Sequence, residues 1–239
     1  MFIRNLLFCF IVLNFGCFLN PYFRGAVTPE ESEGFSSELL LPFIGNPVIR
    51  GETVFFPQTG LTWMRCTLGQ TFDLQSNSCG DTASGLFPYC FSPDNSCNGG
   101  VAGRTLTSGP AFDACTAYSP PGFSFIWRVP THSELKSLVF CSNGIDLTNV
   151  SSSETCAAGG AYTPPTILTN LFPPGSTLFG IPYWTSTSAL VDGSVALEIN
   201  FETGATLSSA SKTASGLLRC VAGGDSFSSP SFSQSADSL

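Results

Sequence analysis

Residues Trp127–Leu135 read Trp-Arg-Val-Pro-Thr-His-Ser-Glu-Leu and contain side chains that could do acid–base chemistry. His132 is the only histidine in the chain, so a nucleophilic or metal site would have to be built around it. Glu134 could act as a general acid, but no second carboxylate is fixed by nearby spacing. We expect His132 to be a solvated residue in a first helical turn, and we predict no catalytic residue.

The same stretch predicts the end of a strand followed by the start of a helix. Pro130 cannot donate to a sheet ladder, so the strand through Trp127 and Arg128 should stop there. Thr131 and Glu134 have the spacing of a capping box, in which each satisfies a backbone N–H of the other. We therefore interpret this motif as structural. The helix should end at Phe140 and bury Leu135, Leu138 and Val139.

Two arginines and two tryptophans could contact a ligand. A guanidinium presents a rigid fork of donors that suits anions or sugar hydroxyls. We favour structural salt bridges for the arginines, to Glu134 or Asp113 for instance, and core positions for the tryptophans, since burying an indole contributes substantially to a core. These residues are Arg128, Arg219, Trp127 and Trp184.

Composition indicates a globular chain with more strand and loop than helix. Of the 239 residues, 43% are hydrophobic and only 11% are charged, with 24 Gly and 17 Pro. The formal net charge of -8 repels nucleic acid, polyanions and anionic lipid surfaces, and we predict no nucleic-acid partner. Lys136 and Lys212 are the only lysines.

The first residues resemble an export signal, with Arg4 before the apolar run Leu6–Phe15, which is too short to span a bilayer. Residues 13–17 resemble a loose bacterial lipobox, so we expect lipid on Cys17. The alternative is cleavage after Gly25 or Ala26. The protein would be an outer-membrane or cell-surface lipoprotein, or otherwise secreted or periplasmic. We divide the chain into 1–17 (signal and lipobox), 18–50 (tether or lead-in), 51–222 (domain) and 223–239 (disordered Ser-rich tail).

Eight cysteines follow Cys17, and an even number in an exported chain indicates disulfides, although eight thiols allow roughly 105 connectivities. There is no C-x-x-C and only one histidine, so the spacing does not favour zinc. Oxygen-rich stretches such as Ser92–Asn95 and Glu198–Asn200 raise the question of calcium, but we predict no metal or other cofactor. The natural local pairs are Cys66 with Cys79, Cys90 with Cys97, and Cys141 with Cys156.

The pattern along the chain predicts a first hairpin, then a long loop over 66–109 that is held covalently. Ser108 with Pro110 resembles a helix start. Phe123, Phe125 and Trp127 alternate as in a strand. The other predicted elements are a hairpin of 53–56 with 61–65, a helix over 111–118, a loop over 141–166, and strands at 183–187, 195–201, 205–207 and 216–221.

Four motifs, residues 59–66, 127–135, 183–188 and 218–221, stand in an order that resembles the Lcl C-terminal domain family, over about residues 54–222. The resemblance implies an α+β, C-type-lectin-like fold, in which two short helices pack on a small twisted antiparallel sheet below long disulfide-held loops. It also implies a bridge from Cys115 on the first helix to Cys220 on the last strand.

This resemblance leads us to expect an exported, lipid-anchored binding domain that presents its loops to a protein or glycan and does no catalysis. Fold alone does not fix function. One alternative is an enzyme of the distantly similar formylglycine-generating type, acting on an exported substrate. The other is a purely structural envelope protein.

Overall fold

The computed structural model of the chain describes residues 46–80, 85–148, 154–173, 175 and 180–224. The export signal, Cys17, most of the lead-in and the tail from residue 225 lie outside the described residues. Within the described ranges, no helix has both the length and the apolar character needed to cross a bilayer.

Short strands dominate the described part of the chain, as its Gly and Pro content predicts. In chain order they are β1 (Val48–Arg50), β2 (Thr53–Phe56), β3 (Leu61–Met64), β4 (Phe72–Asp73), β5 (Ser78–Cys79), β6 (Leu86–Pro88), β7 (Trp127–Arg128), β8 (Tyr183–Ser188), β9 (Val195–Asn200), β10 (Ala205–Ser211), β11 (Ser215–Leu217) and β12 (Val221–Gly223).

The first sheet has the strand order β1-β2-β3-β12-β7 and is antiparallel. Strands β2 and β3 form the predicted hairpin. The Phe56 carbonyl closes its turn by accepting from the N–H groups of Thr59 and Gly60, at 3.2 and 2.9 Å. Gly60 has a φ of 66°, a conformation that favours glycine. Strand β1 starts at Val48, so regular structure begins inside the predicted lead-in.

The second sheet has the order β10-β9-β8-β11-β6, and β4 with β5 forms a separate two-stranded ribbon. All pairs in the second sheet are antiparallel except β8 with β11, which are parallel where Tyr183 meets Leu217. The described part is therefore an α+β domain of mostly antiparallel sheets with two short helices. It has two five-stranded sheets, where the family resemblance implies one small sheet.

Helix α1 (Pro110–Thr116) begins with proline at its first position, as predicted. Its N-cap is Gly109, with a φ of 98°, and not Ser108. A Cβ atom at Gly109 would lie 2.7 Å from the Cys97 sulfur, so the close approach of this loop explains why glycine caps the helix.

Helix α2 (His132–Lys136) begins after Thr131 as predicted but ends well before Phe140. Val139, beyond the helix, forms an isolated bridge with Ile167. The three residues predicted for the inner helix face are nevertheless buried, because the turn that follows the helix keeps them directed at the core: Leu135, Leu138 and Val139.

The predicted single strand over residues 216–221 is wrong. It consists of β11 in the second sheet and β12 in the first, joined by residues 218–220. Leu217 and Val221 lie in one hydrophobic cluster, whereas Leu218 and Cys220 lie in the other. The sequence gives no sign of such a crossing, because all residues from Gly216 to Val221, including the charged Arg219, are buried and polar side chains do not alternate with apolar ones.

Two other predictions for loops and strands are wrong. Residues 66–109 contain β4, β5, β6 and a 3-10 turn at Ser96–Asn98, elements too short to give a periodic pattern. The alternation of Phe123 and Phe125 does not make a strand, since β7 begins only at Trp127. Phe125 and Ile126 are instead 51% and 73% exposed.

The core has two hydrophobic clusters, each joining a helix to sheet strands. The first contains Trp63 and Leu135. The second contains Trp127, Trp184 and Ala111. Four disulfides link residues of this core, and they coincide with the three local pairs and the long pair that the resemblance implies: Cys66–Cys79, Cys90–Cys97, Cys141–Cys156 and Cys115–Cys220.

Candidate functional site

The motif around Arg128 forms a closed set of structural contacts. The Arg128 guanidinium donates to both carboxylate oxygens of Glu134, at 2.7 and 2.6 Å, and to the Gly223 carbonyl. The Thr131 N–H donates to Glu134, and the Glu134 N–H donates to the Thr131 hydroxyl, which completes the predicted capping box. Burial favours a raised pKa for Glu134, but the Arg128 pair outweighs it and the pKa is lowered. This carboxylate stays ionised and is unsuited to act as a general acid.

His132 is not the solvated residue that we expected. Its backbone N–H donates to the Thr187 hydroxyl at 3.0 Å, and its Nε2 lies 2.9 Å from the Thr206 hydroxyl. Burial, and secondarily the charge of Lys136, lower the pKa of His132 to about 4, so the ring is neutral at physiological pH. The reason for the correction is that α2 packs with its first turn against β8 and β10, which sequence spacing did not reveal.

Among the residues that the structure describes, no carboxylate forms the salt bridge that we predicted for Arg219. This arginine is buried, donates to the backbone carbonyls of Met64 and Arg65, and lies over the rings of Phe172 and Tyr183. Burial lowers the pKa of Arg219. Its donors are directed at the interior, so this guanidinium is not presented to a ligand.

The two predicted core tryptophans are fully buried. Trp184 donates its indole N–H to the Phe87 carbonyl at 2.8 Å. Trp127 packs edge-on against Tyr118, with ring centroids 4.9 Å apart. Neither indole forms an exposed surface on which a sugar could stack.

Two loops do present side chains to solvent, and we call residues 90–104 together with 188–194 the loop platform. The Cys90–Cys97 disulfide closes the first loop. The Ser188 N–H and hydroxyl both donate to the Arg104 carbonyl, which connects the two loops. A Cβ atom at Gly103 would lie 2.3 Å from a Leu190 methyl group, so the loops are also in van der Waals contact.

Asn98 is the central side chain of the loop platform. It is completely buried, and its amide nitrogen donates to the Ser188 hydroxyl at 2.9 Å, to the Val101 carbonyl and to the Asn95 side chain. Its amide oxygen accepts from Lys212 at 3.0 Å. One amide therefore links the two loops to a third segment.

Lys212, in the turn between β10 and β11, is also completely buried. Its ammonium donates to the Asp94 carbonyl and to the side-chain oxygens of Asn95 and Asn98, at 2.9, 2.9 and 3.0 Å. Its backbone N–H donates to the Ser194 carbonyl. Burial lowers the pKa of the ammonium, and the nearby Asp94 and Asp192 charges oppose that shift. Lys212 thus contacts both loops of the platform.

Large apolar side chains stand exposed on the loop platform. Phe91 and Val191 are 81% and 88% exposed, and Val101 and Leu190 are 45% and 55% exposed. Loops that a rigid scaffold holds in place often carry binding residues, so these exposed side chains are candidate contacts for a partner. We call these four residues the apolar tips.

The calcium stretches considered from sequence serve other purposes. In the first, the Asp94 carboxylate accepts from the Ser92 hydroxyl and the Ser96 N–H, while the Asp94 carbonyl and the Asn95 side-chain oxygen accept from Lys212. In the second, the Asn200 side chain accepts from the Glu202 N–H in the turn before β10. Within the described ranges, no group of three or more His, Cys, Asp or Glu side chains could hold a metal ion.

Glu198 is a buried carboxyl group that sequence analysis did not single out beyond the calcium question. It lies on β9, is 4% exposed, and pairs with Trp184 across the sheet. A Cβ atom at Gly216 would lie 3.0 Å from Glu198 Oε1, so glycine leaves room for the carboxyl group. Burial raises the pKa of Glu198 to about 7.

Sequence reasoning also missed Asn98 and Lys212 as organisers of the loops. The scarcity of lysine was the available signal. Lys136 is 1% exposed and donates to the Gly204 carbonyl at 2.8 Å, so both lysines of the chain are buried. A chain with so few lysines that nevertheless keeps two of them inside uses each one structurally.

Fold and site together define a disulfide-stabilised α+β domain that carries a loop platform with exposed apolar residues. The family model of the Lcl C-terminal domain matches residues 52–222, and the chain belongs to this family. No curated protein and no solved structure matches the chain.

Proposed function

We propose that this protein is an exported, lipid-anchored surface domain that binds a protein or glycan through the loop platform and catalyses no reaction. The observation that carries the proposal is the set of apolar tips on loops held together by a disulfide, Asn98 and Lys212. Because these contacts already fix the loops, little conformational entropy would be lost on binding.

Several features support location outside the cytoplasm. The four disulfides are typical of oxidising compartments, and the first residues resemble an export signal with Cys17 in a loose lipobox. We also propose that the domain has the C-type-lectin-like topology that the family resemblance implies. Labelling with a clickable fatty acid tests the anchor: the native chain should carry label and Cys17→Ser should not, and an unlabelled native chain would contradict anchoring.

A binding array of host glycans, matrix proteins and envelope polymers tests the proposed activity. We expect a ligand whose affinity falls about 30-fold in Phe91→Ser or Val191→Ser, the effect of losing an interface residue worth about 2 kcal/mol. Phe125→Ser is the matched control, because Phe125 is also exposed but belongs to residues 119–126. Loss of binding in Phe125→Ser alone would place the site elsewhere, and a native chain that binds nothing on the array would count against the proposal.

The formylglycine-type alternative would require free thiols, and all eight cysteines in the described ranges form disulfides. No observation on those residues therefore favours it. Counting free thiols in the native, non-reduced protein tests it directly, since two accessible thiols in the domain would support the enzyme hypothesis.

A further inference from the structure

The surroundings of the Lys212 ammonium resemble a coordination shell more than an ion pair. An ammonium has three N–H donors, and each has an oxygen acceptor, from Asp94, Asn95 and Asn98, within 2.9–3.0 Å. All three acceptors are neutral carbonyl or amide oxygens. The group is completely buried, so water does not supply any of these contacts.

The nearby carboxylates do not take part in this shell. Asp94 Oδ1 accepts from the Ser92 hydroxyl and the Ser96 N–H, and Asp192 Oδ1 accepts from the N–H and hydroxyl of Ser194. Each closes a local turn at the surface. The cation is therefore held by neutral oxygens that converge from one loop. The Lys212 backbone joins both loops, because its N–H donates to the Ser194 carbonyl and its carbonyl accepts from the Cys90 N–H.

The shape of the surrounding backbone is adapted to this arrangement. A Cβ atom at Gly193 would lie 2.6 Å from the Asn95 amide nitrogen, so a side chain there would displace the Asn95 amide whose oxygen accepts from Lys212. The Asn98 amide, whose oxygen accepts from Lys212, uses its nitrogen to hold Ser188. Removing the ammonium would therefore leave buried oxygens unpaired in the first loop and loosen the contact to the second.

We propose that Lys212 is the internal cation of the loop platform and does the work that a bound metal ion does in many oxygen-rich loops: it gathers neutral oxygens and fixes the loops that carry the apolar tips. Lys212 is thus a positioning residue for binding, and the platform needs no calcium. This inference rests on the proposed function for its biological meaning, but it concerns loop order that is measurable without any ligand.

Hydrogen exchange with mass-spectrometric readout tests the inference on the intact protein. In Lys212→Met, amides of residues 91–104 and 188–194 should exchange roughly 10- to 100-fold faster, the effect of losing hydrogen bonds from a charged donor. Lys136→Met is the matched control, because it removes the other buried lysine, whose ammonium holds the Gly204 carbonyl elsewhere. It should leave exchange in both platform loops unchanged.

Chemical rescue separates a cation from mere packing. Lys212→Ala deletes the atoms of n-propylammonium, so added n-propylammonium should restore slow exchange in residues 91–104, whereas n-propanol and propyltrimethylammonium, which lacks N–H donors, should not. Equal rescue by n-propanol would show that the alkyl chain matters and the charge does not, and no rescue by any of the three would also overturn the inference.

The native protein provides a test that does not depend on folding of a variant. Exchange in both platform loops should be the same in EDTA and in millimolar calcium, and slower exchange in calcium would refute the claim that Lys212 replaces a metal ion. If these results hold while the native protein binds nothing on the array, the proposed function fails and the internal cation stands. If ligand binding depends on the apolar tips while Lys212→Met leaves exchange unchanged, the proposed function stands and the inference about Lys212 fails.

Discussion

Two regions of the molecule use a basic residue in opposite ways. One is the strand–helix connection formed by Arg128, Thr131 and Glu134, which we call the joint, and the other is the shell of oxygens around Lys212. Arg128 pairs with an ionised carboxylate six residues away, and both side chains keep about a fifth of their surface exposed. Lys212 is completely buried and faces neutral oxygens 114 to 118 residues away. The first arrangement joins a strand to a helix, and the second joins loops that expose apolar residues. Fold and proposed binding surface therefore depend on different cations.

The largest effect on the free energy of unfolding should come from the long disulfide Cys115–Cys220, which lies outside the loop platform. Replacing Cys115 and Cys220 with Ala should lower the free energy of unfolding by about 5 kcal/mol, and replacing Cys90 and Cys97 with Ala by only about 2 kcal/mol, because the closed loops differ in length. The sequence separations are 105 and 7 residues.

Denaturant unfolding monitored by tryptophan fluorescence measures both variants. The short disulfide should nevertheless have the larger effect on hydrogen exchange within residues 90–104. If the order of the two free energies were reversed, the loop platform would be contributing more to global stability than we infer.

Two groups outside the loop platform, Glu198 on β9 and His132 at the start of α2, should make the stability respond to pH in opposite directions. The folded-state pKa of Glu198 is raised from 4.5 to about 7, so its contribution is fully present below pH 4.5 and is lost as the pH rises through 7. The folded-state pKa of His132 is lowered from 6.5 to about 4, so its contribution is present above pH 6.5 and is lost as the pH falls through 4. Each is worth roughly 3 kcal/mol at most.

Between pH 4.5 and 6.5 these contributions nearly cancel, and the native protein should show little pH dependence of its unfolding free energy. Glu198→Gln should reveal stability that increases with pH across this window, and His132→Gln stability that decreases. Chemical denaturation at half-unit pH steps measures the slopes. Slopes of the same sign in the two variants would contradict the uncharged state of one of the two groups.

Breaking the joint itself should have a moderate effect. Arg128→Met removes the two hydrogen bonds to Glu134 and leaves a half-buried carboxylate without its main partner, which should cost about 2 kcal/mol. Thermal unfolding measures the loss. Hydrogen exchange in residues 90–104 should match that of the native protein once the change in global stability is subtracted, in contrast to Lys212→Met.

The smallest effect should come from the helix cap. Thr131→Ala removes the hydroxyl that accepts from the Glu134 N–H and should lower the free energy of unfolding by about 1 kcal/mol. Thr131→Ser keeps the hydroxyl and serves as the control. Any ligand affinity should be unchanged, and a binding defect without a loss of stability would mean that the joint belongs to the binding surface.

The joint could be predicted from sequence because Thr131, Glu134 and Arg128 lie within seven residues, where spacing determines contact. The local disulfides were accessible for the same reason. The shell around Lys212 could not be predicted, since its oxygens lie more than 110 residues away and only the fold brings them together. The division into two sheets was missed because residues 216–221, including Arg219, are all buried, and polar and apolar side chains do not alternate there.

Strands β11 and β12 make the C-terminal part of the domain necessary for both five-stranded sheets. Each is an interior strand, with β11 between β8 and β6 in one sheet and β12 between β3 and β7 in the other. Neither sheet can be completed before residues 215–223 take their places, because each sheet is interrupted without its interior strand. Both sheets therefore depend on the same short segment, and the domain can reach its folded state only as one unit.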